Sequence, residues 1–256
     1  MTQMESTIGF IGGGNMGEAL IGALLRSGVS PPGALHVSDV RPERRAFLAT
    51  TYGIRTISDN IELFRECSVV VLAVKPQQMT AVLSEIANCK DYAVPGRKLI
   101  LSIAAGYPIR KIESLLYEPL SQPQRTNLAV IRVMPNTPAL VLAGMSGMSL
   151  NRNATEQDRR IAVRMLESMG RVIEFEEPQL DAVTALSGSG PAYVFFMAES
   201  MIAAGIRLGL TAKDSATLTV QTIKGAVALM ETSGQTPEEL RKKVTSPGGT
   251  TEAALS

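Results

Sequence analysis

Apolar residues follow two rhythms along this chain. In the first two-thirds, short apolar runs alternate with stretches where apolar residues recur every three or four positions. The short runs predict strands buried on both faces, and the periodic stretches predict helices packed over them. The runs are Ile8–Ile11, Leu35–Ser38, Val69–Ala73, Leu99–Ser102, Ala129–Met134, Gly147–Leu150 and Arg171–Glu174. Helical patterns cover Glu18–Arg26, Glu43–Tyr52, Gln77–Ile86, Pro108–Leu116 and Thr155–Met169. Thr155 and Asp158 have the spacing of a capping box. This alternation is the mark of a doubly wound parallel sheet.

After Pro178 the strand rhythm ends. Two long helical patterns follow, Gln179–Leu208 and Thr211–Thr232, and a shorter one begins at Thr236 with proline in its first turn. The predicted division is therefore an α/β domain over 1–177 and an all-α domain over 178–256. In the second, Ala198, Met201, Ile202, Ala203, Ala204, Leu208, Val227, Leu229 and Met230 run around the helices rather than down one stripe. Helices apolar all round need partners on several sides, and a segment this small supplies few. Interleaving with a second copy is the prediction; packing against the first domain is the alternative.

The first strand leads into Gly12-x-Gly14-x-x-Gly17 and then a helix. Strand, glycine turn and helix together form a dinucleotide-binding fingerprint. Gly12 allows the tight turn, Gly14 lets a pyrophosphate approach, and Gly17 lets the helix pack on the strand. The N-terminal domain is thus Rossmann-like, and NAD(P)H is the expected cofactor. Asp39 ends the second strand at the spacing where an acidic residue binds the ribose hydroxyls, which leans toward NADH. Arg41, Arg44 and Arg45 follow and pull the other way, since arginine accepts a 2′-phosphate. The remaining strand ends give Ala73-Val-Lys75-Pro76, Ile103-Ala104-Ala105-Gly106 and Met134-Pro-Asn-Thr-Pro138. Ligands of open α/β sheets collect at such ends. Two glycine-rich interruptions, Leu186–Pro191 and Val244–Thr251, read either as anion sites with exposed N–H groups or as ordinary loops.

Composition narrows the chemistry. The 256 residues carry a net charge of +1, no tryptophan and two cysteines, Cys67 and Cys89. This balance supports neither a nucleic-acid groove nor a membrane surface, and no run is long enough to span a bilayer. The expectation is a soluble cytoplasmic protein. The single histidine, His36, lies in a strand, where a core or surface role is expected. No cluster has metal-ligand spacing. A dinucleotide enzyme lacking an evident acid or base suits a substrate that is already electrophilic and carries its own proton, such as an iminium.

Taken together, Ile8–Gly17, Ala73–Pro76, Met134–Pro138, Asp181–Tyr193 and Ser246–Thr251 resemble the Δ1-pyrroline-5-carboxylate reductase family over nearly the whole chain. The resemblance implies NAD(P)H-dependent reduction of pyrroline-5-carboxylate to proline, the last step of proline biosynthesis. It implies that Ile11, Gly12, Gly13, Gly14, Asn15, Met16, Asn60, Ala73, Val74, Lys75, Pro76, Ile103, Ala104 and Ala105 contact the dinucleotide. Asp39 joins them from the strand reading. It also implies that Val244, Ser246, Gly248, Gly249, Thr250 and Thr251 hold the substrate carboxylate, with Thr251 hydrogen-bonding the ring nitrogen. It implies as well that Thr184 and Ser187 border that site from the partner subunit of a swapped homodimer, since family members form such dimers, which often assemble into decamers. Asp39 departs from the Ser or Asn of many members. The resemblance further expects a helix beyond Ser256, whose loss would weaken the dimer. Two alternatives stand beside this reading: a reductase of another cyclic imine or a small hydroxyacid, and a nucleotide-binding regulator without turnover.

Overall fold

The run Ile8–Ile11 forms strand β1, paired with a strand at each edge and buried along its whole length by apolar clusters on both faces of the sheet. In the computed structural model, which describes residues 6–255, the strands are β1, β2 (Leu35–Ser38), β3 (Arg55–Ile57), β4 (Val69–Leu72), β5 (Lys98–Ser102), β6 (Leu128–Met134), β7 (Gly144–Leu150) and β8 (Gly170–Glu174). The helices around them are α1 (Asn15–Arg26), α2 (Pro42–Tyr52), α3 (Asn60–Glu66), α4 (Pro76–Ala87), α5 (Ile109–Tyr117), α6 (Gln122–Asn127) and α7 (Glu156–Glu167). A short α8 (Leu180–Val183) leads into a π turn (Thr184–Gly188), followed by α9 (Gly190–Arg207), α10 (Ala212–Thr232), α11 (Pro237–Lys243) and α12 (Thr250–Leu255). None of these helices is long and apolar enough to cross a membrane.

One sheet holds the strands in the order β3-β2-β1-β4-β5-β6-β7-β8. The chain starts in the middle, at β1, and winds outward both ways, so the strand order reverses between β1 and β4. The period of two divides the core. Val69 and Val71 of β4 face one side with Leu20, Leu24 and Met165, while Val70 and Leu72 face the other with Leu63, Met79 and Leu83. One departure from the expected parallel sheet is β7, which runs antiparallel to β6. Only a short 3₁₀ turn, Thr137–Val141, joins the two, and a parallel return would need a long crossover.

Packing divides the chain into one unit running to Pro191 and a second from Ala192. The residues after Pro178 stay with the sheet for specific reasons. Buried Arg132 of β6 pairs with Glu177 at 3.2 Å, and the same carboxylate accepts the Ile109 N–H at 2.7 Å. Leu180 is fully buried, and a β-carbon on Gly147 would come within 2.8 Å of Val183. The long helix expected over Gln179–Leu208 is therefore broken into a 3₁₀ turn, α8, the π turn and α9. The glycine-rich stretch inside it is a wider helical turn and not a loop.

The second unit is helical throughout. Thr211 and Thr236 cap α10 and α11, the latter through a capping box with Glu239. Among its described residues only Ser215 and Thr219 are buried. Phe195 is 64% and Phe196 70% exposed, with Met197, Met201, Leu218, Val220 and Leu229 also on the surface.

Candidate functional site

Four parallel strands end on the same edge of the sheet, and the turns leaving them enclose a cleft of about 800 Å³. Gly12, just past β1, has φ +100°, and a β-carbon there would meet the Ala73 carbonyl oxygen at 2.8 Å. Side chains rarely adopt that backbone, so glycine is required. At Gly17 a β-carbon would lie 2.7 Å from the Gly12 oxygen, which fixes how closely α1 approaches the turn. Gly14 differs from both. Nothing lies within 4 Å of where its β-carbon would be, and it caps α1 without a side-chain hydrogen bond. The first-turn N–H groups of a 12-residue helix thus face open space at the positive end of the helix dipole. Such a helix start attracts a phosphate, so the cleft suits a dinucleotide.

The structure brings nearly all the sequence-predicted cofactor residues to this cleft. Ile11, Gly12, Gly14, Asn15, Met16, Asp39, Asn60, Ala73, Val74, Lys75, Pro76, Ile103, Ala104 and Ala105 line it. Gly13 stands behind the lining: its N–H donates to Asp39 Oδ2 at 3.0 Å, and its carbonyl accepts from Arg44 Nε. Pro76 opens α4, where its missing N–H costs nothing. Ser38, Val40, Arg41, Arg44, Gln78 and Val82 also line the cleft. Of these, only the two arginines stand out in the sequence. Ser38 is a strand-end residue held by a 2.7 Å hydrogen bond to Asn60, which in turn donates to Glu85. The rule that ligands gather at strand ends was the signal that would have found it.

The charged groups at this edge are tied to one another. Arg44 donates to Gly13 and to Glu18, and Tyr52 donates to Glu18 at 2.8 Å. Burial favours protonation of Glu18, but the hydrogen bonds from Arg44 and Tyr52 outweigh it and hold the carboxyl below its ordinary range. Asp39 behaves the same way. Burial raises its carboxyl, and the donors of Arg41 and the Gly13 N–H bring it below the usual range.

The other predicted residues fall in two places. Thr184 and Ser187 lie on the π turn of the first unit. Thr184 donates to the Leu180 carbonyl at 2.7 Å, and Ser187 receives the Asn136 amide at 3.3 Å. Asn136 also accepts the Met145 N–H, so its amide fastens the turn to the end of β6 and does not project into the cleft. Val244, Ser246, Gly248, Gly249, Thr250 and Thr251 belong to the second unit. Their loop turns at Gly248, with φ +71°, and the Gly248 N–H already donates to a carboxylate, that of Glu252, at 2.7 Å. Gly249 N–H closes the turn on the Ser246 carbonyl. Helix α12 starts at Thr250 itself. His36 is buried, with Nδ1 3.6 Å from Glu66 and 3.5 Å from Cys67 Sγ.

Residues 177–256 match the family described as pyrroline-5-carboxylate reductase dimerisation, and residues 7–106 the family described as NADP oxidoreductase coenzyme F420-dependent. A pyrroline-5-carboxylate reductase of Pseudomonas aeruginosa is 43% identical over 97% of this chain and 86% of its own length. Among solved structures, a pyrroline-5-carboxylate reductase from Coxiella burnetii has TM-score 0.85 and 35% identity, covering 98% of this chain and 89% of that one. The Plasmodium falciparum pyrroline carboxylate reductase, solved with NADP bound, has TM-score 0.86 and 32% identity, covering 99% and 89%.

Proposed function

The chain belongs to the pyrroline-5-carboxylate reductase family, and from that premise we propose how its residues reduce pyrroline-5-carboxylate to proline with NAD(P)H. The observation that carries the reading is the open space over Gly14, at an uncapped helix start and within one strand-end cleft. When bound, NAD(P)H supplies the hydride that the carbon of the substrate C=N bond accepts. Gly14, Asn15 and Met16 hold the pyrophosphate through backbone N–H groups, while Gly12 and Gly13 shape the turn, their own N–H groups bonded to the Ser38 carbonyl and to Asp39. Asp39 and Asn60 flank the adenosine half. Ala73–Pro76 and the small residues Ile103–Ala105 leave room for the nicotinamide ring.

The Val244–Thr251 loop holds the substrate carboxylate on backbone N–H groups, a role consistent with the Gly248 N–H, which donates to the Glu252 carboxylate. Thr251 donates its hydroxyl to the ring nitrogen, orienting the C=N bond and assisting proton uptake there. Thr184 and Ser187 of a second subunit close the site. Orientation of this kind supplies on the order of 7–11 kcal/mol of a barrier. Residues 178–256 form the substrate and dimerisation domain, whose exposed aromatic residues support a homodimer, and dimers assemble into a homodecamer. The protein works in the cytoplasm, consistent with its unpaired Cys67 and Cys89.

The test is oxidation of NADH and NADPH in the presence of pyrroline-5-carboxylate, with proline measured as product and the mass determined in solution. Proline-forming turnover by a dimer or larger assembly is expected. An intact oligomer that binds dinucleotide and turns over no pyrroline-5-carboxylate would overturn the substrate assignment.

A further inference from the structure

Asp39 is the residue the sequence offers as a ribose acceptor, yet its carboxylate has no acceptor site left to offer. Its side chain is only 8% exposed. Oδ1 accepts from the Arg41 backbone N–H at 3.0 Å and from Arg41 Nε at 3.1 Å. Oδ2 accepts from the Gly13 N–H at 3.0 Å and from Arg41 Nη2 at 3.2 Å. A carboxylate presents about four lone-pair directions, and four donors fill them. A ribose hydroxyl would reach Asp39 only by unseating Arg41 or the glycine turn.

The same bonds fix Arg41 at the cleft. Its side chain is 54% exposed and lines the cavity, and only two of the five N–H donors of a guanidinium are spent on Asp39. The neighbouring arginines are engaged elsewhere: Arg44 with Gly13 and Glu18, Arg45 with the Asp39 carbonyl at 2.6 Å. A guanidinium already fixed by a carboxylate loses less freedom when it binds a phosphate. The Asp39 charge does not oppose such an anion, because Arg41 neutralises it directly.

Resting on the dinucleotide reading above, we propose that Asp39 anchors Arg41 and does not read the ribose. The anchored Arg41 selects a 2′-phosphate, making the protein an NADPH-preferring enzyme despite its acidic residue at this position. Asp39 is then a positioning residue and Arg41 the specificity determinant.

Titration calorimetry of the intact protein with NADPH, NADH, 2′,5′-ADP and 5′-ADP tests this, since the last pair isolates the adenosine end. The wild type is expected to bind each 2′-phosphorylated ligand about tenfold or more tightly, the ordinary worth of a hydrogen bond to a charged group. Arg41→Gln, an exposed change that leaves the core alone, removes that difference by weakening NADPH and 2′,5′-ADP while sparing NADH. Asp39→Asn weakens the phosphorylated ligands too, because Arg41 loses its anchor. The proposal is overturned if Arg41→Gln leaves the ratio unchanged, or if Asp39→Asn weakens NADH selectively. Binding of none of the four ligands would instead remove the dinucleotide reading, and this inference with it.

Discussion

Replacing Gly14 by alanine separates what the glycine turn does for the fold from what it does for a ligand. Gly14 has φ −69° and ψ −176°, backbone that alanine adopts without strain, and no atom lies within 4 Å of the added β-carbon. The fold loses only the difference between glycine and alanine as an N-cap, at most about 1 kcal/mol. That lowers the melting midpoint by about 2–4 °C in a chain of this size. A phosphate approaching the first-turn N–H groups of α1 meets the new methyl in the space it needs. Each hydrogen bond to a charged group that is lost costs about 1.5–3 kcal/mol, so Kd for NADH and NADPH rises about tenfold or more. Gly17→Ala is the contrasting control. Its β-carbon would stand 2.7 Å from the Gly12 oxygen and 3.3 Å from the Ala73 β-carbon, so α1 must shift and stability falls with affinity. Calorimetric titration and a thermal scan on the two variants read both quantities. If Gly14→Ala binds both dinucleotides as tightly as the wild type, the phosphates do not sit at this turn and the reasoning fails.

Thr251→Val is expected to cut kcat by at least tenfold, the worth of one hydrogen bond to a charged nitrogen, with NADPH affinity unchanged; lost cofactor binding would remove Thr251 from its role. Phe196→Glu, placing a charge on a 70% exposed aromatic of α9, should yield monomers by sedimentation, and an unchanged oligomer would clear that face of any interface role. Lys98 donates its ammonium to the Phe64 and Cys67 carbonyls, and burial lowers it from 10.5 to about 8. Between those values the unfolded chain holds more protons than the folded one, so stability rises with pH across that window. Lys98→Met should flatten this rise in denaturant titrations, and an unaltered pH slope would contradict it.

Much of the sheet was legible because buried parallel strands leave unbroken apolar runs, as in Val69–Leu72. Strand β3 was not: it is a three-residue edge strand with exposed Arg55 and one buried residue, Ile57, which leaves no run to see. Helix α3 carries a signal that lies outside the apolar rhythm, Asp59, whose carboxylate accepts the Ile61 and Glu62 N–H groups. The π turn was invisible because it keeps the helical rhythm while widening the turn, and what holds it, Asn136, lies about 50 residues away in sequence. The cleft was legible where glycines and strand ends met. The saturation of Asp39 was not, since it depends on where the Arg41 side chain goes.

Among the described residues of the second unit none that is apolar is buried, and this links folding to dilution. A hydrophobic centre of its own is what normally lets a small helical domain stand alone, and these helices bring many apolar side chains to the surface instead. When a partner copy supplies the missing contacts, the folded state is a product of association, and its stability follows mass action. The melting midpoint of this unit should then climb with protein concentration while that of the sheet, with its own two cores, stays fixed. At low protein concentration, the first loss would be of assembled protein, with helices opening to proteolysis before the nucleotide cleft is disturbed.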